Sequence, residues 1–214
     1  METQTLEKRF SLLLIILYMF GAGFHLVEKT RPIMLLLTEL MLLGGASVVL
    51  YFTYRYVRLK IRLLLWLAIT IPVTWIIEIV GVDTGLVFGQ YEYGNTMRIQ
   101  VFHVPLIIGI NWAVLILATH SLSLTISRIR WLRPMLAALY IVIFDIFMEP
   151  VAQKLDYWQW EDQQIPLQNY LAWAVITVVF STMLESFKIY SRSPILRAYF
   201  LIQLVFFLVL YLAL

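Results

Sequence analysis

The sequence predicts an all-α protein, a polytopic membrane helical bundle of about seven transmembrane helices forming a single domain over residues 1–214. Three observations carry that prediction. The chain is 62% hydrophobic and 14% charged, with a mean hydropathy of +0.85, whereas a soluble domain is roughly half apolar and about a quarter charged. Seven stretches are apolar over the roughly 20 residues that a helix needs to cross a bilayer. The basic residues then fall unevenly on the two sides of those stretches.

The first stretch, Phe10–Val27, is long and lacks a small-residue cleavage site, so it reads as a spanning helix rather than a removed leader. Pro32–Phe52 carries Glu39, and Leu63–Val82 carries Glu78 near its end. Val104–Leu122 holds Asn111-Trp112, Pro134–Gln153 holds Asp145 and Glu149, Asn169–Phe187 holds Glu185, and Ile195–Leu214 is the seventh. No Ser/Gly linker, low-complexity tract or clear repeat divides the chain. The amino terminus and the loops after the second, fourth and sixth stretches hold 12 Lys and Arg residues, against four (Lys29, Arg31, Arg98, Lys154) on the other side. The positive-inside rule therefore places the amino terminus in the cytoplasm and the carboxyl terminus outside, in the cell (inner) membrane. The two longest loops, Asp83–His103 and Lys154–Gln168, fall on the outer side with most of the polar and aromatic residues.

Composition removes several chemistries. With no cysteine, disulfides, thiolate catalysis and cysteine metal sites are excluded. A net charge of +3 is too small to imply nucleic acid. His25, His103 and His120 are isolated, without the clustered spacing of a di-iron or zinc site. There is no Asp-rich run for magnesium, no glycine-rich phosphate loop, and no lysine in the last stretch for a retinal Schiff base. No metal and no cofactor is expected.

What remains is buried acid beside aromatic surface. A charged side chain within a span costs at least a few kcal/mol, so Glu39, Glu78, Asp145, Glu149 and Glu185 should face the bundle interior, protonated or paired. Asp145 and Glu149 are four apart and share a helix face. Two such carboxyls in a low dielectric cannot both ionise cheaply, which produces either a poised general acid or a structural acid bonded to a neighbouring helix. Pro150 is expected to weaken the helix there and open it toward a cavity. Glu78 precedes Gly81, Gly85 and Gly89, which predicts a helix unwinding into a shaped loop. Asn111 is either interhelical glue or a partner for a carboxylate or water. The tryptophans and tyrosines near Asp156 are either interfacial anchors or an aromatic lid whose ring faces stabilise a cation.

Taken together, Glu78-x-x-Gly81-x-x-Thr84-Gly85-x-x-Phe88-Gly89-x-Tyr91-x-Tyr93, Pro105-Leu-Ile-Ile-Gly-x-Asn111-Trp112, Asp145-x-x-x-Glu149-Pro150, Asp156-x-Trp158-x-Trp160 and Pro166-x-x-Asn169 resemble the integral-membrane carotenoid biosynthesis family, which includes the carotenoid 1,2-hydratases. The likeness runs from Trp75 to Trp173, and the first two spans and the last carry no matching motif. It implies addition of water across a terminal isoprenoid double bond of an acyclic carotenoid, without a cofactor. Glu78, Asp83, Asp145 and Glu149 are the expected catalytic residues: one of Asp145, Glu149 or Glu78 donates the proton, and a second carboxylate such as Asp83 orients the water. Trp75, Tyr91, Tyr93, Asn111, Trp112, Asp156, Trp158, Trp160 and Asn169 are the expected substrate-binding residues. The expected partners are a lipid-soluble carotenoid, membrane lipid and other enzymes of the carotenoid pathway, with no nucleic acid. Two alternatives stay open: a lycopene-type cyclase or isomerase using the same protonation, and a non-enzymatic carotenoid-binding protein.

Overall fold

A computed structural model describes residues 2–214. Its helices are α1 (Glu2–Leu26), α2 (Arg31–Tyr56), α3 (Lys60–Thr84), α4 (Ile107–Ile126), α5 (Leu132–Lys154), α6 (Leu167–Ser186) and α7 (Pro194–Ala213). Among the described residues these seven are long and apolar enough to cross a membrane. Helix accounts for 76% of the chain, so the all-α class holds. A rise of about 1.5 Å per residue gives the shortest of them roughly the 30 Å of a hydrocarbon core.

α4 is the axis of the bundle. Its side chains from Trp112 to Ser121 are buried without a break, the pattern of a helix enclosed on every side. α2, α3, α5, α6 and α7 pack around it, and α1 lies against α7 and α2. Trp66 of α3 donates its indole N–H to the Phe180 carbonyl of α6 at 3.1 Å. Where α3 crosses α4, Gly109 lets the backbones approach: a Cβ there would sit 2.5 Å from the Ile71 carbonyl oxygen and 3.0 Å from Trp75 Cβ.

Successive connections alternate between the two ends of the bundle, so 57–59, 127–131 and 187–193 lie at one end and both long connections emerge with 27–30 at the other. Each carries short strands. β1 (Tyr91–Tyr93) follows α3, and β4 (Trp158–Trp160) follows α5. The two pair antiparallel, Tyr91 opposite Trp160 and Tyr93 opposite Trp158. β2 (Gln100–Val101) and β3 (Val104–Pro105) form a hairpin that turns through Phe102 and His103, both at positive φ, as a two-residue primed turn requires.

Three expectations change in detail. α1 starts well before Phe10, and α4 is displaced toward the carboxyl side of the expected span. α5 continues through Pro150 to Lys154 rather than opening there. The loss of one amide donor near a helix end leaves the remaining ladder intact.

The α3–α4 crossing yields a test. Gly109→Ala forces a methyl group against backbone and is expected to destabilise the protein by about 1–3 kcal/mol, the usual cost of overpacking. Gly23→Ala adds its methyl into open space and is expected to leave Tm unchanged or raise it. Thermal unfolding of the two variants in the same detergent checks the difference.

Candidate active site

α3 brings Glu78 to within two turns of its end, and the chain then leaves the helix at Gly85 in the left-handed region, its N–H bonded to the Gly81 carbonyl at 2.8 Å. The loop passes Gly89 at φ +110, where a Cβ would meet Pro166 at 2.5 Å. This turn delivers β1 back over Glu78. The Tyr91 hydroxyl donates to Glu78 Oε2, Tyr93 donates to the same oxygen at 2.9 Å, and Trp112 Nε1 of α4 donates to Oε1 at 2.7 Å.

β4 serves the second acid in the same way. Side chains alternate along a strand, so Trp158 and Trp160 both turn inward while Gln159 between them does not. Trp158 Nε1 and Trp160 Nε1 donate to Glu149 Oε2 at 2.8 and 2.7 Å. Asn169 Nδ2 of α6 bridges the acids of α5, reaching Glu149 Oε1 at 3.1 Å and Asp145 Oδ2 at 2.8 Å. Both acids of α5 thus meet at one amide group, and Asp145 Oδ1 is buried with no hydrogen-bond partner.

Glu78 and Glu149 line one cavity of about 270 Å³. The rings around them pack on each other at a tilt: Tyr91 against Trp160 with centroids 4.9 Å apart, Trp112 against Trp173 at 4.0 Å. None of the cavity-lining residues is lysine or arginine, so neutral N–H and O–H donors alone hold the two acids. Among the described residues no three His, Asp or Glu side chains converge as a metal site. The arrangement can hold a proton between two carboxyls at the wall of an apolar chamber and present aromatic faces to a positive charge.

Of the expected residues, the structure brings Glu78, Glu149, Tyr91, Tyr93, Asn111, Trp112, Trp158, Trp160 and Asn169 to the cavity wall. Asp145 stands directly behind Glu149, with no exposed surface. Three others lie elsewhere. Asp83 is exposed on the last turn of α3, Trp75 packs outside the cavity against Phe102 with ring centroids 6.5 Å apart, and Asp156 accepts the Asn95 amide at 3.2 Å.

Sequence reasoning missed Trp173 and everything supplied by the helices without motifs. Trp173 follows Asn169 by four positions, a spacing that shares a helix face. α1 contributes Tyr18 and His25, α2 contributes Met34 and Thr38, and α7 contributes Gln203 and Phe206. The readable signal there was a lone polar residue in an apolar helix, Gln203 above all.

Three other acids of the helices have structural partners. Glu185 pairs with Arg133 at 3.0 Å and Arg130 at 3.3 Å at the opposite end of the bundle. Glu7 accepts from Tyr56, the Ser193 hydroxyl and the Ile195 amide, so it caps α7. Glu39 accepts the Ile99 amide at 3.1 Å.

Residues 37–214 match the family described as carotenoid biosynthesis protein. A curated relative, the bisanhydrobacterioruberin hydratase of Haloarcula japonica, is 31% identical over 110 residues, covering 45% of this chain and 36% of the relative. The chain thus spans little more than a third of that relative's length. No solved structure matches.

The phenols of Tyr91 and Tyr93 are half-buried as whole residues but enclosed at their hydroxyl ends. Burial first, then the adjacent Glu78 carboxylate, pushes both well above the ordinary phenol value. Burial likewise pushes Tyr157 up to about 12. A raised native value means that the contribution to stability is complete below the ordinary phenol pKa of about 10 and is lost as pH climbs past it, because the unfolded chain gives up its phenolic protons first. Ultraviolet titration is expected to show these phenols silent until the protein unfolds. The alkaline loss of Tm is expected to be shallower in Tyr91→Phe/Tyr93→Phe.

Proposed function

The chain belongs to the carotenoid biosynthesis protein family, and from that premise we propose that it adds water to a terminal double bond of an acyclic carotenoid end group. The observation that supports this reading best is the pair of buried acids, Glu78 and Glu149, held by neutral donors at the wall of one apolar cavity, with Asp145 behind the second.

The reaction needs a proton for the alkene, a surface that tolerates a tertiary cation and a base for the incoming water. Asp145 and Glu149 share a proton, which satisfies the otherwise unpartnered Asp145 oxygen and makes Glu149 the acid that faces substrate. Transfer of that proton to the less substituted alkene carbon leaves the charge on the dimethyl-substituted carbon. The faces of Trp112, Trp173 and Tyr91 stabilise it by cation–π attraction. Glu78, which already accepts three hydrogen bonds, needs no proton at rest and takes one from the water as its oxygen bonds to the cation. Return of that proton from Glu78 to the Asp145–Glu149 pair closes the cycle. The net change is one water added across one carbon–carbon double bond. The exposed Asp83 plays no part in this scheme.

The multi-pass helices and the polyene's insolubility in water favour entry from the lipid. Leu17, Phe20 and Phe24 of α1 both line the cavity and stand exposed on the outside of the bundle. The basic residues near the opposite end orient the chain with its amino terminus inside and the acid cluster toward the outer half of the cell membrane, as one domain spanning residues 1–214.

Incubation of the purified protein with lycopene or γ-carotene is expected to yield a product heavier by one water. Asp145→Asn, Glu149→Gln and Glu78→Gln are each expected to lower turnover by about 10²-fold or more, the usual worth of a positioned acid or base. Asp83→Asn is expected to turn over normally. Wild-type rates in all three acid variants would overturn the scheme. A cyclised end of unchanged mass would identify a cyclase, and bound but unaltered pigment a carotenoid-binding protein.

A further inference from the structure

The end of the bundle away from the chamber gathers more positive charge than its acids use. α6 finishes there in a tight turn. The Ile189 amide donates to the Leu184 carbonyl at 2.9 Å and the Lys188 amide to the Glu185 carbonyl at 3.2 Å, with Lys188 itself left-handed at φ +56. Glycine is the usual occupant of that position, because a Cβ is strained there, so a lysine holds it against its backbone preference. Arg62, in the first turn of α3, donates to the Phe187 carbonyl at 3.1 Å. Arg130, just before α5, donates to the Glu185 carbonyl at 3.0 Å. Three cations from three segments thus meet around the last turn of α6. The one carboxylate among them, Glu185, is already engaged by Arg133 at 3.0 Å, by Arg130 at 3.3 Å and by the Tyr190 hydroxyl at 3.1 Å. Among the described residues neither Arg62 nor Lys188 has an ion-pair partner, and both are exposed.

The partial negative charge of a helix C-terminus amounts to about half an elementary charge. Together with Glu185 it matches less than half of the charge on Arg62, Arg130, Arg133 and Lys188. What is left over is a compact positive site at the ends of two membrane spans, the level of lipid headgroups. Its flanks are apolar: Ile61 and Leu65 beside Arg62, and Ile129 and Trp131 beside Arg130, are 65, 51, 50 and 72% exposed. A soluble anion has no use for such side chains, whereas acyl chains lie against them. We infer that this end of α6 is a binding site for the phosphate headgroup of an anionic phospholipid, held by Arg62, Arg130 and Lys188, with the acyl chains running over the exposed residues of α3. Guanidinium forks suit phosphate oxygens in particular. The site is independent of any chemistry in the chamber.

Native mass spectrometry of the full chain, released from micelles holding phosphatidylglycerol and phosphatidylcholine in equal amount, counts the lipid that stays bound. Wild type is expected to keep phosphatidylglycerol about tenfold over phosphatidylcholine, the worth of one to two cations near a membrane surface. Arg62→Gln/Lys188→Gln is expected to bring that ratio close to one. Lys8→Gln/Arg9→Gln removes the same charge from exposed positions on α1 and is expected to keep the preference. Lys188→Gly separates lipid binding from folding. It relieves the left-handed position, so Tm in phosphatidylcholine is expected to hold or rise while the preference falls severalfold. Equal retention of the two lipids by wild type, or an unchanged preference in either variant of Lys188, would overturn the site. An equal loss in the Lys8 and Arg9 variant would also overturn it, leaving only a diffuse positive field. Displacement of phosphatidylglycerol by millimolar inorganic phosphate would overturn it in favour of a soluble anion.

Discussion

The pairing of β1 with β4 is the constraint on which the site depends. A carboxyl group taken from water into a bundle of this kind costs several kcal/mol when ionised. A hydrogen bond to a charged acceptor contributes about 1.5–3 kcal/mol, so the three donors on Glu78 and the three on Glu149 are of the size required. Four of those six donors sit on the two paired strands. A two-stranded ladder of three residues a side has little stability of its own. It holds because its inward rings are anchored on acids of α3 and α5, and the acids are tolerated because the ladder places the rings.

The two ends of the bundle treat acid differently, and the difference is chemical. Glu185 is matched by guanidinium groups of Arg130 and Arg133. Glu78, Asp145 and Glu149 meet only indole, phenol and amide donors. Such donors stabilise a carboxylate without bringing a compensating positive charge. The acids without guanidinium partners therefore sit at the end of the bundle where cations are scarce.

The spans were legible because a stretch of apolar residues long enough to cross a bilayer has few other uses. Their ends were less so: the first turns of α1 contain Glu7, Lys8 and Arg9, and hydropathy cannot see that Glu7 turns inward to cap α7. Asp145 and Glu149 were readable as a pair because four residues return to the same helix face. The same geometry sets Asp83 apart. It lies five residues past Glu78, which at about 100° per residue carries it about 140° around the helix and away from the acid. The i, i+2 spacing of Tyr91 with Tyr93 and of Trp158 with Trp160 suits a strand, but two rings are too short a pattern to announce one, and nothing local says that two loops so far apart in sequence pair with each other. The walls given by α1, α2 and α7 were invisible for a plainer reason. An apolar side chain facing a cavity inside a membrane is the same residue that would face lipid.

That last ambiguity also bears on how a ligand reaches the acids. Opening the ladder would strip donors from Glu78 and Glu149 at once and expose both to unsatisfied burial, so it is the expensive door. α1 carries no donor to either acid, its outer face is the least enclosed of the seven spans, and Leu17, Phe20 and Phe24 line the chamber from a surface that is itself exposed. Moving those side chains breaks only dispersion contacts, which lipid tails or a polyene replace in kind. The cheaper door is therefore lateral, along α1, and a ligand using it meets the acids without disturbing the bonds that hold them.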